Sequence, residues 1–155
     1  MAEIYNYNSG KLVAKYRDIV CFDLEIRKPI TQIYGDSATG KTLLVNFIKN
    51  EKKNVKFNLS GEEDTVSNIV VFDDIFGKND ISKITKSLIV IDRCDLILTD
   101  DIVDFIVGDR NNHYLLFSRT GLPLGISPNY YGEFVWDSNS NTISIFYKYS
   151  EVGWF

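Results

Sequence analysis

The sequence predicts an α/β fold: a mostly parallel sheet flanked by helices, with an antiparallel N-terminal pair of strands and a C-terminal β-hairpin. Three observations carry that reading. Leu88-Ile89-Val90-Ile91 and Tyr114-Leu115-Leu116-Phe117 are apolar on consecutive residues, as in strands buried on both faces of a parallel sheet. Between them, apolar residues at 102, 103, 106 and 107 recur with helical spacing. Strands alternating with helices form the pattern of an α/β domain. With 155 residues, 45 % of them hydrophobic and 14 % aromatic, residues 1–155 are expected to make a single domain around one core.

The elements follow in order. Residues 11–17 and 19–26 read as two short strands close in sequence, an antiparallel pair. After Pro29, the β-branched run from Ile30 to Tyr34 predicts a strand. A glycine-flanked loop, Gly35 to Thr42, leads into a helix with apolar residues at 44, 47 and 48, which should end in the polar segment 49–54. Val55 to Leu59 alternates and predicts a strand. Ile69 to Phe72 predicts another. Only nine residues, 60–68, lie between those two, fewer than the dozen or so that a parallel crossover needs, so 69–72 is expected as an antiparallel edge strand.

Asp80 to Lys86 allows a short helix with Asp80 as its N-cap. Asp100 to Val107 predicts a helix opened by acids. Residues 119–132 read as loop. Glu133–Asp137 and Thr142–Tyr149 flank Ser138-Asn139-Ser140-Asn141, the pattern of a hairpin.

Charge and cysteine usage narrow the function classes. The net charge of −4 hides an asymmetry: ten Lys and Arg against six Asp and Glu in residues 1–60, then seven against fifteen in 61–155. Such a balance does not indicate a nucleic-acid binder, whose footprint is a clear basic patch. Cys21 and Cys94 are far apart and have no metal-ligand spacing around them, so both read as small core residues in a reducing setting. No run has the length to span a bilayer and the first residues carry no apolar signal segment, so a cytoplasmic location is expected.

One loop carries chemistry. Gly35-Asp36-Ser37-Ala38-Thr39-Gly40-Lys41-Thr42 matches GxxxxGK[ST] between a predicted strand and a predicted helix. A tight glycine loop turns successive backbone N–H groups inward as an anion nest, and the helix N-terminus adds partial positive charge. Lys41 would reach the β- and γ-phosphates of a nucleotide, and the Thr42 hydroxyl would ligate Mg²⁺.

On this motif the chain resembles the P-loop NTPase superfamily. Leu88 to Asp95 looks like a Walker B strand, with Asp92 placed to hold Mg²⁺. His113 to Arg119 is similar to the next core strand of AAA-type ATPases, which ends in a polar sensor, here Ser118, followed by Arg119. The antiparallel pair before the loop is similar to the start of ABC-type ATPase domains. The resemblance covers about residues 30–119 and implies the additional-strand branch in a minimal single-domain form. It implies nucleotide contacts from residues 35–42, Ser118 and Arg119, metal ligation by Thr42 and Asp92, and catalytic roles for Lys41 and Asp92.

One departure matters. These ATPases place a glutamate directly after the Walker B aspartate to polarise the attacking water, and this chain has Arg93 there. Asp95 is the candidate replacement, with Glu62 and Glu63 behind it; Asp95 also reads as an acid capping the turn after the strand. The expectation is therefore a Mg²⁺-dependent ATP-binding protein with slow or partner-activated hydrolysis. A protein partner or a second copy would supply an arginine in trans.

Two alternatives stay open. One is a nucleotide-gated interaction protein with little hydrolysis, its candidate surface among the aromatic residues between Tyr130 and Phe155 that otherwise cover a sheet face. The other is a small GTPase-like switch reading Asp74-Ile75-Phe76-Gly77 as D-x-x-G and taking GTP, although only 18 residues separate Asp74 from Asp92. The single histidine, His113, reads as a surface turn residue without a general-base role.

Overall fold

The computed structural model describes residues 5–16, 20–27, 29–34, 40–55, 69–119 and 130–150. Among them, nine strands form one mixed sheet: β1 (Tyr5–Asn6), β2 (Lys11–Tyr16), β3 (Val20–Glu25), β4 (Ile30–Tyr34), β5 (Ile69–Phe72), β6 (Leu88–Ile91), β7 (His113–Ser118), β8 (Tyr130–Asp137) and β9 (Thr142–Ser150). Four helices accompany them: α1 (Lys41–Val55), α2 (Lys78–Ile81), α3 (Cys94–Ile97) and α4 (Asp100–Gly108). The strand order is β1-β2-β3-β9-β8-β4-β7-β6-β5. The fold is α/β.

Strands β8, β4, β7, β6 and β5 run parallel to one another, whereas β1–β2, β2–β3 and β8–β9 are antiparallel. The predicted N-terminal pair is therefore present as β2–β3, with Lys11 opposite Glu25 and Tyr16 opposite Val20. The C-terminal hairpin turns through residues 138–141, where Asn141 takes a left-handed φ of 52°, a conformation asparagine tolerates. That hairpin lies between the two halves of the sheet: β9 pairs parallel with β3 at Cys21 and Phe22, and β8 with β4.

Period-two alternation assigns the two faces. Leu88, Val90, Leu115 and Phe117 join Leu44, Val45, Phe47 and Ile48 of α1 on one side. Ile89, Ile91, Tyr114 and Leu116 join Ile81, Ile97, Ile102, Val103 and Ile106 of α2, α3 and α4 on the other. Fully burying each aliphatic or aromatic side chain contributes about 1.5–3 kcal/mol. The α1 cluster also takes in Leu12, Phe22, Leu24, Phe134 and Ile143 from the hairpin strands, and Phe22 meets Phe47 at 5.6 Å between ring centroids. Five strands separate β1 from β7 in the order, yet the Tyr5 hydroxyl lies 2.6 Å from Nδ1 of His113. The sheet therefore curls around the α1 side.

Several expectations need correction. Strand 69–72 is at the edge, as expected, but it pairs parallel with β6. The crossover that reaches it starts at the end of β4 and carries α1, so it is not short of residues. α1 persists through Lys49–Asn54 to Val55, because Lys and Glu are good helix formers even without an apolar stripe. Val55 is thus helical, and the rest of the predicted strand 55–59 lies outside the described residues.

The short helix starts two residues earlier than expected. Gly77 is the N-cap of α2, and Asp80 is its third residue, accepting the Gly77 N–H at 2.8 Å. In α4, Asp100 and Asp101 open the first turn as expected, while Val107 faces solvent. The loop predicted for 119–132 ends early, since β8 begins at Tyr130. Cys94 is buried, as expected, whereas Cys21 is only partly so. No helix among the described residues is long and apolar enough to cross a membrane.

Candidate functional site

Parallel strands end at the same edge, so the residues that follow them are brought together. In register, Tyr34 of β4 lies beside Ser118 of β7, Leu116 of β7 beside Ile91 of β6, and Ile91 beside Phe72 of β5. Asp92 extends the ladder by donating its backbone N–H to the Phe72 carbonyl at 2.9 Å. At this edge opens a cleft of about 370 Å³ lined by Lys41, Thr42, Asp92, Arg93, Asp95, Leu96, Phe117, Ser118 and Arg119.

The cleft therefore gathers most of the residues singled out in the sequence. Lys41 and Thr42 are the first two residues of α1; Lys41 is buried and Thr42 is exposed. Gly40 precedes them with φ +107°, a backbone that favours glycine, and its Leu44 contact (N–H to the Gly40 carbonyl, 3.0 Å) starts the helix. A Cβ at Gly40 would meet Cδ1 of Ile143 at 2.9 Å, so β9 packs directly against this end of the loop. Gly35, Asp36, Ser37, Ala38 and Thr39 lie outside the described residues, as do Glu62 and Glu63.

Asp92 is partly buried and lines the cleft, and its Oδ1 accepts the Arg93 N–H at 2.9 Å. Asp95 sits in the first turn of α3, partly buried. Ser118 is buried at the end of β7 and Arg119 is exposed beside it. Three cations and two carboxylates thus share one concave surface. Among the described residues no group of three or more His, Cys, Asp or Glu side chains could hold a metal ion.

Sequence reasoning treated Arg93 only as a missing glutamate, yet it lines the cleft as well. Its backbone is left-handed, φ 52° and ψ 48°, and its Nη2 donates to the Asp73 carbonyl. Leu96, 71 % exposed at the rim, was also not singled out. Its position directly after Asp92 was the available signal for Arg93; nothing in the pattern marked Leu96. Asp74 and Gly77 are not among the lining residues. Asp74 instead accepts the N–H of Ile75 at 2.8 Å.

His113 is not a surface turn residue. It is buried at the start of β7, bonded to Tyr5 and stacked on Tyr7 with ring centroids 4.0 Å apart. At about 3.3 Å per residue, Ser118 at the other end of the strand is about 16 Å away, beyond hydrogen-bond reach of the cleft. The curl of the sheet, which no local pattern announces, covers it. Close by, Asp109 accepts hydrogen bonds from the Tyr114 hydroxyl at 2.6 Å, Asn112 Nδ2 at 2.8 Å and the Asn111 N–H at 2.8 Å. Burial first, and Asp109 second, push the Tyr114 hydroxyl pKa well up.

Burial likewise pushes the Cys94 thiol up, and its Sγ–H points to the Ile91 carbonyl at 3.2 Å. Although Cys94 adjoins Asp95, it is a packed, protonated thiol and not a nucleophile.

Compared with known proteins, the chain matches no family model, no curated protein and no solved structure.

Proposed function

We propose that the chain is a Mg²⁺-dependent ATP-binding protein of the P-loop type, with slow or partner-activated hydrolysis. One observation carries the reading: Lys41 and Thr42 of the GxxxxGK[ST] motif share a cleft with Asp92, Ser118 and Arg119, which come from two other strand ends. The interposition of β7 between β4 and β6 supports the additional-strand branch, because it sets the polar end of β7 beside the motif-bearing strand. A cleft of this size, with cations at one end of a helix, suits a polyphosphate.

The donor set also fits a hard divalent cation. Mg²⁺ usually takes one or two protein oxygens with waters and phosphate completing its octahedron. The Thr42 hydroxyl and Asp92 Oδ2 would be those oxygens, and the ion would neutralise charge on the terminal phosphates. Lys41 would hold the β- and γ-phosphates electrostatically, and Ser118 and Arg119 would orient them. Asp95 would reach a water nucleophile only through a second water, which accounts for slow turnover. Arg93 favours the second reading, a nucleotide-gated protein that holds its ligand, because a guanidinium does not accept a proton.

The test is nucleotide binding by calorimetry with ATP and GTP side by side, with and without Mg²⁺. Lys41→Ala should weaken ATP binding by about 10–100-fold, the loss of a hydrogen-bonded charge contact. Unchanged binding in that variant would remove the site from this loop, and selective GTP binding would favour the GTPase-like alternative. Phosphate release abolished by Asp95→Asn would mark an ATPase; none in the parent protein, with or without partners, would leave a nucleotide-gated binder.

A further inference from the structure

We propose that Arg93 senses the γ-phosphate of a bound nucleoside triphosphate from within the same chain, exchanging the Asp73 carbonyl for the phosphate and thereby loosening the segment 73–77. The inference rests on the nucleotide-site reading above and deepens it.

The argument starts from charge. A guanidinium is always protonated and carries five N–H donors in a planar fork suited to phosphate oxygens. Among the described residues, Arg93 spends one of these on the Asp73 carbonyl and forms no ion pair, although Asp73, Asp74, Asp92 and Asp95 are all near it in the fold or the sequence. The Asp73 carboxylate is taken by Lys49 of α1, and Asp92 Oδ1 by the Arg93 backbone. An exposed guanidinium with no carboxylate partner among the described residues, on the wall of a cleft shared with Lys41 and Thr42, is a good phosphate ligand.

The tether has a second end. Asp73 follows β5 and opens the segment that carries Ile75, 76 % exposed, into α2. Arg93, the N-cap of α3, and Lys49 of α1 both hold Asp73, one by its carbonyl and one by its carboxylate. When the guanidinium turns to a phosphate, the carbonyl loses its donor, and the segment keeps the Lys49 tie at Asp73 and the packing of Phe76 on Phe72. A nucleoside diphosphate has no γ-phosphate to draw Arg93 away, so the two nucleotides differ in the interaction that shifts the segment. The arginine expected from a partner is thus supplied in cis.

The experiment compares ATP and ADP affinities, with Mg²⁺, for the parent protein, Arg93→Asn, Arg93→Lys and Lys41→Ala. Asparagine tolerates the left-handed backbone at this position, and melting curves establish that each variant is folded. Arg93→Asn should weaken ATP by about 10–100-fold and change ADP by no more than about twofold, and Arg93→Lys should fall between. Amide hydrogen exchange over residues 73–77 should quicken on ATP but not on ADP in the parent protein, and should be fast in every state of Arg93→Asn.

Equal weakening of both nucleotides, no weakening, or exchange that does not distinguish ATP from ADP would overturn the proposal and reduce Arg93 to a structural tie. If those results came while Lys41→Ala still weakened the binding of both nucleotides, the nucleotide site would stand without the sensor. Binding of neither nucleotide by the parent protein would overturn both.

Discussion

The two halves of the sheet solve the same packing problem in different ways. In β4–β7–β6–β5 the strands are covered by helices on both faces, and β6 and β7 are buried along their whole length. In the half made of β2, β3, β9 and β8, inward and outward residues alternate, and Val13, Val135, Trp136 and Phe146 are exposed. Apart from Thr31 and Gln32 inside β4, the covered half keeps its polar residues to strand ends, and the cleft residues collect there. Among the described residues the alternating half contributes none to the cleft lining, yet Phe134 and Ile143 press on Gly40. One half carries the candidate chemistry and the other braces it.

The largest test of that division is Phe22→Ala. Phe22 is buried on β3 and packs on Phe47 of α1, so the truncation should cost about 3–5 kcal/mol of stability. In urea, tryptophan fluorescence, reporting in part on Trp136 of the hairpin, and helical circular dichroism should still move together in both proteins. Separate transitions would show that the two halves are not one cooperative unit.

Gly40→Ala probes the brace itself. The left-handed backbone and the close approach of Ile143 should together cost about 1–3 kcal/mol, read from the melting temperature. Adding Ile143→Val removes Cδ1, the atom a new Cβ would meet, so the double variant should be more stable than the sum of the singles predicts. Simple additivity would mean that the brace does not touch the loop.

The smallest effect is tested at Tyr114 in the covered half. Tyr114 holds its proton to higher pH in the folded protein than in the unfolded chain, and burial raises Tyr5 and Tyr147 in the same sense. The unfolded state therefore loses protons first, so these groups contribute stability fully below pH ~10 and progressively less above it. Tyr114→Phe should cost about 1–2 kcal/mol at neutral pH and flatten the alkaline fall in melting temperature. An unchanged alkaline slope would remove Tyr114 as its source.

What could be read in advance follows the same division. Doubly buried strands announce themselves as unbroken apolar runs, so 88–91 and 114–117 were legible along with the residues at their ends, Asp92 and Ser118. The phosphate-loop motif needed only local spacing. The hairpin was legible from its Ser-Asn-Ser-Asn turn. Its place between β3 and β4 was not, because strand order depends on pairings between residues over a hundred positions apart, such as Phe22 with Ile143. His113 was misjudged for the same reason: Tyr5 and Tyr7 cover it only because the sheet curls. The direction of β5 was lost when the helix was ended too early at its charged turns.

The position of β4 has a consequence for how the chain must be made. β4 is flanked by β7 on one side and β8 on the other, so the strand leading into the phosphate loop is a sheet edge until residues 130–137 exist. β3 waits equally for β9. A nascent chain that has reached Arg119 has every described cleft residue but two exposed edges, each a template for pairing with another molecule. Synthesis of residues 130–150 is thus a protective step: the hairpin zips both edges at once, and a delay there exposes the chain to aggregation before it exposes it to loss of chemistry.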